Sequence, residues 1–146
     1  MSKKSFAIFS FVTISVALAT PLTAQACNTD YVAAEAVGSG NSADIQSSGT
    51  NYTSLIQNGV DLAMVSTVKG KCNAQVTGQD GENNRIHSRV RGVANATGVL
   101  QDANDADATI NSAGFLNGIA IYQHRNGGKA DVGATGDHNV IVINQN

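Results

Sequence analysis

Asn117-Gly-Ile-Ala-Ile-Tyr-Gln123 decides the fold, because its frame returns at a fixed interval along the chain. Asn-x5-Gln stands at Asn51/Gln57, Asn73/Gln79, Asn95/Gln101, Asn117/Gln123 and Asn139/Gln145, each copy beginning 22 residues after the last. Such self-similarity marks a repeat architecture in which each unit buries its face against its neighbours. The period also halves. Half-phrases close at Gln46, Val68, Val90, Ser112 and Ala134, so a strand-closing position recurs every 11 residues. Two residues later comes a turn glycine, at Gly59, Gly70, Gly81, Gly92, Gly114 and Gly136, with Ser48 (beside Gly49), Ala103 and Arg125 standing in elsewhere. Glycine there supplies the positive φ of a tight reversal. The unit reads as strand, turn, strand, turn.

Strand side chains alternate faces, so parity within the half-repeat predicts inside and outside. The closing position and the residues two and four before it share one face. In the last four strands these are Ala108/Ile110/Ser112, Ile119/Ile121/Gln123, Ala130/Val132/Ala134 and Ile141/Ile143/Gln145. Earlier strands give Thr53/Leu55/Gln57, Met64/Ser66/Val68, Ile86/Ser88/Val90 and Thr97/Val99/Gln101. Charges test this independently. Of 16 charged residues between 42 and 145, nine fall on the opposite face and six in turns. Only Asp44 lands inside, where an unpaired carboxylate is costly. The first strand is therefore expected to slip by one residue or to fray.

The expected interior holds small aliphatic residues and two polar ladders. Asn51, Asn73, Asn95, Asn117 and Asn139 open one set of strands, and Gln57, Gln79, Gln101, Gln123 and Gln145 close it, with Gln46 closing the half-phrase before Asn51. If each repeat makes one coil, like amides stack about 4.8 Å apart. An amide has two donors and an acceptor, so each rung satisfies the next. The expected fold is all-β: a two-sheet β-solenoid of five 22-residue strand-turn-strand repeats, able to form amyloid. It stands about 24 Å tall at that spacing, with no helix inside 50–145.

Residues 1–26 read as a secretory signal peptide. Lys3 and Lys4 precede an apolar run from Phe6 to Ala19, and Ala24-Gln25-Ala26 is a small-x-small cleavage site. Cys27 follows the site, so lipid modification is the alternative, although Ala24 and Gln25 suit that signal poorly. Without Lys3 and Lys4 the 9 basic residues fall to 7 against 11 acidic ones, a net charge of about −4. That balance gives no electrostatic footprint for nucleic acid. No other apolar run reaches membrane length. Residues 27–39 form a lead segment and 40–146 the repeat domain, which holds only three aromatic side chains, Tyr52, Phe115 and Tyr122. Cys27 and Cys72 form a disulfide in an oxidising compartment, an intermolecular bridge, or two free thiols; their spacing fits no metal motif.

In these repeats the chain resembles the curlins, the amyloid subunits of bacterial curli fibres. The family repeat is Ser-x5-Gln-x4-Asn-x5-Gln with a glycine after each Gln. Gln46-x4-Asn51-x5-Gln57 fits it with Gly40 at the Ser position, and Gln79-Asp-Gly81-Glu-Asn-Asn84 reproduces its turn. The leading half-repeats depart, carrying Leu62, Asn84, Ala106 and Gly128 in place of Ser, and Val68, Val90, Ser112 and Ala134 in place of Gln. Two cysteines are also unusual for the family. The resemblance implies a secreted structural subunit of extracellular amyloid fibres that support adhesion and biofilm matrix. Its implied partners are further copies of itself, other curlin subunits, the curli export machinery, and host or abiotic surfaces. It implies no enzyme activity and no cofactor. The alternatives are a minor nucleator that seeds another curlin and a soluble β-solenoid adhesin. Val140-Ile-Val-Ile143 reads as an apolar, uncapped edge, with Ile141 and Ile143 facing inward, which favours polymerisation over a capped monomer.

His87, His124 and His138 fall on different coils and outside the core by parity, and form no spaced ligand set. Gly127-Gly-Lys-Ala-Asp131 and Gly133-Ala-Thr-Gly-Asp137 faintly suggest calcium-binding β-roll repeats without their nonapeptide period. Lys69, Lys71, Arg85, Arg89 and Arg91 cluster as a solvated face.

Overall fold

The structure is a computed structural model that describes residues 30–146. The signal-peptide reading and residues 27–29 of the lead segment, Cys27 among them, lie outside the described residues. Nine strands follow in chain order: β1 Tyr31–Ser39, β2 Ser42–Val60, β3 Ala63–Glu82, β4 Arg85–Val93, β5 Ala96–Asp102, β6 Asp107–Phe115, β7 Gly118–Gln123, β8 Lys129–Asp137 and β9 Val140–Gln145. Among the described residues there is no helix, and hence none long and apolar enough to cross a membrane.

All pairings are parallel, and each strand pairs with the one a full coil away. Because β2 and β3 run through a corner, each contributes to both faces of the coil. One sheet stacks β1, residues 52–60 of β2, residues 74–82 of β3, β5, β7 and β9. The other stacks residues 42–50 of β2, residues 63–71 of β3, β4, β6 and β8. The result is the expected β-solenoid of about five coils at a 22-residue interval.

The two sheets press Leu55, Met64, Ile86, Val99, Ile110, Ile119, Ile121 and Val132 together between them. Each such side chain contributes about 1.5–3 kcal/mol by leaving water. Parity therefore places the core where the sequence does, and Ile119 and Ile121 are 3% and 2% exposed. No described charged side chain is buried.

The coil corners obey a second rule. Two residues beyond each turn position from 59 onward a further residue takes positive φ: Asp61, Cys72, Asn83, Ala94, Asp105, Leu116, Gly127 and His138, 11 residues apart. The left-handed residue swings the next side chain inward. Leu62, Asn73, Asn84, Asn95, Ala106, Asn117 and Gly128 follow it and are buried.

The first coil differs. Its register is 21 residues, Ser42↔Ala63 through Thr50↔Lys71, and becomes 22 only after a shift between Thr50 and Tyr52. The corner Gly49-Thr-Asn51 lacks the left-handed residue that Cys72 supplies in Gly70-Lys-Cys-Asn73. The strand has slipped by one, as Asp44 requires: Asp44 is exposed and Ile45 packs against the core. Gln46 is thereby corrected. It pairs with Thr67, is exposed, and belongs to no ladder; Ser47 takes the inward place against Val68. Gly40 likewise is the left-handed residue of its corner, and Asn41 occupies the inward position.

The lead segment supplies β1, which pairs with residues 52–60 from Tyr31↔Tyr52 to Ser39↔Val60. The lead segment thereby adds a half-coil to the stack, below residues 52–60.

Candidate functional site

The distinctive chemistry of the molecule is its pair of amide columns. In the first sheet Gln57 donates to Gln79 at 2.9 Å, Gln79 to Gln101 at 3.0 Å, Gln101 to Gln123 at 2.9 Å and Gln123 to Gln145 at 2.9 Å. Each Nε2 also donates across the interior to the first carbonyls of the opposite sheet: Ser42, Ala63, Arg85, Asp107 and Lys129. One glutamine therefore stacks coils with one hydrogen and clips the two sheets with the other. Buried amides left unpaired cost about 1–3 kcal/mol each, and these are paired.

The asparagines hold the opposite corner. Asn73 and Asn95 each donate from Nδ2 to the asparagine one coil below, at 2.9 and 3.0 Å, as Asn139 does to Asn117 at 2.9 Å. Asn117 instead donates its backbone N–H to Asn95 Oδ1, at 3.1 Å. Asn73, Asn95 and Asn117 also donate to the turn-glycine carbonyls of the coil above, at Gly92, Gly114 and Gly136. Asn51 turns to Ser47 Oγ and Ser48 O. Sequence reading found the stacking but missed the cross-sheet clip, whose signal is the 16-residue offset from Gln79, Gln101, Gln123 and Gln145 back to the carbonyl each meets, 15 at Gln57 in the shorter first coil.

The glycines earn their places through stacking as much as through φ. At Gly92 (φ 119°) an added Cβ would lie 2.0 Å from the carbonyl oxygen of Gly114. Gly59, Gly70, Gly81 and Gly114 face the coil above as closely. Gly136 has nothing nearer than Asn139 Nδ2 at 3.9 Å, because no described strand covers it.

Also uncovered is β9. Val140 and Val142 are 65% and 62% exposed, while Ile141 and Ile143 are half-buried and pack against the core. No described strand pairs with its outer edge, so its free backbone groups can accept another strand.

The remaining candidates sit apart. Cys72 is disulfide-bonded in its left-handed corner position. His87, His124 and His138 are exposed; His124 Nδ1 lies 3.1 Å from Asp102 Oδ2, and His138 packs edge-on against Phe115. No group of three metal-ligating side chains exists among the described residues. Lys69, Lys71, Arg85, Arg89 and Arg91 face solvent. Buried polar atoms without a partner among the described residues are Thr53 Oγ1, Gln75 Nε2, Ser88 Oγ, Thr97 Oγ1 and Ser112 Oγ, scattered through the core rather than converging on a cavity. The geometry suits templated stacking of strands. No family model, curated protein or solved structure matches the chain.

Proposed function

We propose that this chain is a secreted structural subunit of curli-like extracellular amyloid fibres. The observation that carries the reading is the in-register stack itself. Each coil offers the next the same glutamine, asparagine and glycine positions, so a coil that accepts one neighbour can template another. Stacking the first coil of one copy on the last coil of another is a heterologous contact that does not close, and it generates a filament. Cross-strand backbone bonds and dry amide ladders give such filaments their stability. On this reading the export path runs through the periplasm as an unfolded chain, with the cysteines reduced until export is over. The fibre then serves adhesion and matrix. The exposed basic stripe and outer valines form its lateral surface, facing host or abiotic material.

The test is to incubate purified mature protein alone and follow thioflavin T fluorescence with electron microscopy. Fibres after a lag support a major-type subunit. Immediate seeding of another curlin, with slow growth alone, supports a nucleator. A monomer that persists at high concentration overturns the fibre reading in favour of a soluble solenoid adhesin.

A further inference from the structure

The described ends of the stack do not match as they stand. The first sheet holds six strands, β1 to β9, and the second holds five, from residues 42–50 to β8. A second copy set with its β1 on β9 continues the first sheet but leaves the second one strand short. The gap spans two strand spacings, about 9.6 Å. With β1 lifted away, residues 52–60 of the incoming copy lie on β9 and residues 42–50 on β8. Both sheets then run on unbroken.

The amide columns point the same way. The glutamine column is directional, each rung donating toward β9. Its open ends are the Gln57 carbonyl, to which no described side chain donates, and the second N–H of Gln145, whose described bond goes to Lys129 O. The asparagine column donates in the opposite sense, leaving the Asn139 carbonyl open above and Asn51 Nδ2 turned to Ser47 and Ser48 below. Donor meets acceptor at both corners if Gln57 and Asn51 come to lie on Gln145 and Asn139. What stands over Gln57 now is Ala36, its register partner on β1, which has no amide.

β1 is built to leave. Eight of its nine residues are exposed, and Val32, Ala34 and Ala36 offer little apolar surface to Thr53, Leu55 and Gln57. Beyond its backbone bonds it is held at its start by a Tyr31–Tyr52 stack at 5.0 Å and, beside it, a Ser47–Asp30 hydrogen bond, and at its end by Asn41 Nδ2, which donates to Val37 O at 3.0 Å and to Gly59 O at 3.2 Å.

We propose that residues 52–60, beneath β1, are the docking edge for the last coil of a second copy, and that β1 is a place-holder displaced at each addition. This rests on the fibre reading. It makes the fraction of chains with β1 detached a factor in the elongation rate.

Two full-length variants test it from opposite sides. Val37 and Asn58 are exposed register partners on adjacent parallel strands, a separation that a disulfide spans. Oxidised Val37→Cys/Asn58→Cys should lose elongation and regain it on reduction, with reduced wild type as the control for the Cys72 bond. In the second variant, Ala34→Pro/Glu35→Pro, one of two adjacent N–H groups must face β2, so β1 loses at least one ladder bond. Its elongation should rise about tenfold as the competent fraction grows. Oxidised and reduced cross-linked chains elongating alike would overturn the docking edge and leave the fibre reading standing. If wild type, the proline variant and the reduced chain all fail to form fibres, the fibre reading falls and this inference falls with it.

Discussion

The third and fifth coils carry the same phrase in different surroundings. Gly92, Asn95, Val99 and Gln101 of the third are enclosed above and below, and Val99 is fully buried. Gly136, Asn139, Ile143 and Gln145 of the fifth have a coil below and no described strand above. A residue type that stabilises the fold inside the stack is thus presented at its end as half of an unmade contact. In a solenoid, where stability is a sum of repeat and neighbour terms, folding and assembly draw on one set of interactions.

The largest effect expected on the chain itself comes from the glycine column. Gly92→Ala forces a Cβ into the Gly114 carbonyl at a positive φ. Backbone strain and overpacking together cost about 4 kcal/mol. Gly136→Ala meets no such neighbour and should cost about 2 kcal/mol, from strain alone. Urea denaturation of the two variants gives the difference. Equal losses would mean that φ, and not stacking, sets the cost. On fibre growth the order should invert, because at a junction Gly136 acquires the neighbour that Gly92 already has.

A charge on the last strand sharpens the comparison for assembly. Ile143→Lys places an ammonium on the inward face, where a second copy would strand it in a dry interface, and elongation should fall by about tenfold or more. Val142→Lys points outward, where the valine is already 62% exposed, and growth should stay near wild type. Thioflavin kinetics on both variants decide it; equal growth would remove this edge from the mechanism.

The inner glutamines give a middle-sized effect. Gln101→Ala leaves the Gln79 donor and the Gln123 carbonyl without their rung, a loss of about 2–4 kcal/mol at roughly 1–2 kcal/mol per orphaned group. Asn104→Ala loses a half-exposed corner contact to the Glu82 N–H and should cost less than about 1 kcal/mol. Similar unfolding midpoints for the two would contradict the buried ladder.

Periodicity and parity were legible because backbone pairing forces identical positions to superpose, so a phrase such as Asn117–Gln123 has to repeat in step. The register of the first strand was ambiguous for a physical reason. Gln46-Ser-Ser-Gly-Thr50 accepts two alignments that differ by one corner residue, and Gln46 matches the ladder pattern in the wrong one. Burying Ile45 and exposing Asp44 selects the other. β1 was missed because Tyr31-Val-Ala-Ala-Glu-Ala-Val37 carries no amide to align, and it joins the sheet through backbone bonds that any sequence can make. Of the candidate site, the stacked rungs were readable from spacing. The clip from Gln101 to Arg85 O was not, since its acceptor is a carbonyl with no sequence signature.

The smallest expected effect separates two serines in one column of the inner coils. Ser66 and Ser88 are register partners, both buried, one coil apart. Ser66 Oγ donates to Gln75 Oε1 at 2.8 Å, whereas Ser88 Oγ has no described partner. Ser66→Ala takes away the donor to a buried amide whose Nε2 is already unpaired, and should cost about 1–2 kcal/mol. Ser88→Ala removes a desolvated hydroxyl that makes no bond, and the space left is one oxygen wide. It should stabilise by up to about 1 kcal/mol. The denaturation midpoints should therefore move in opposite directions for the same substitution. A loss of stability in both variants would mean that the Ser88 hydroxyl has a bonding partner within the folded coil.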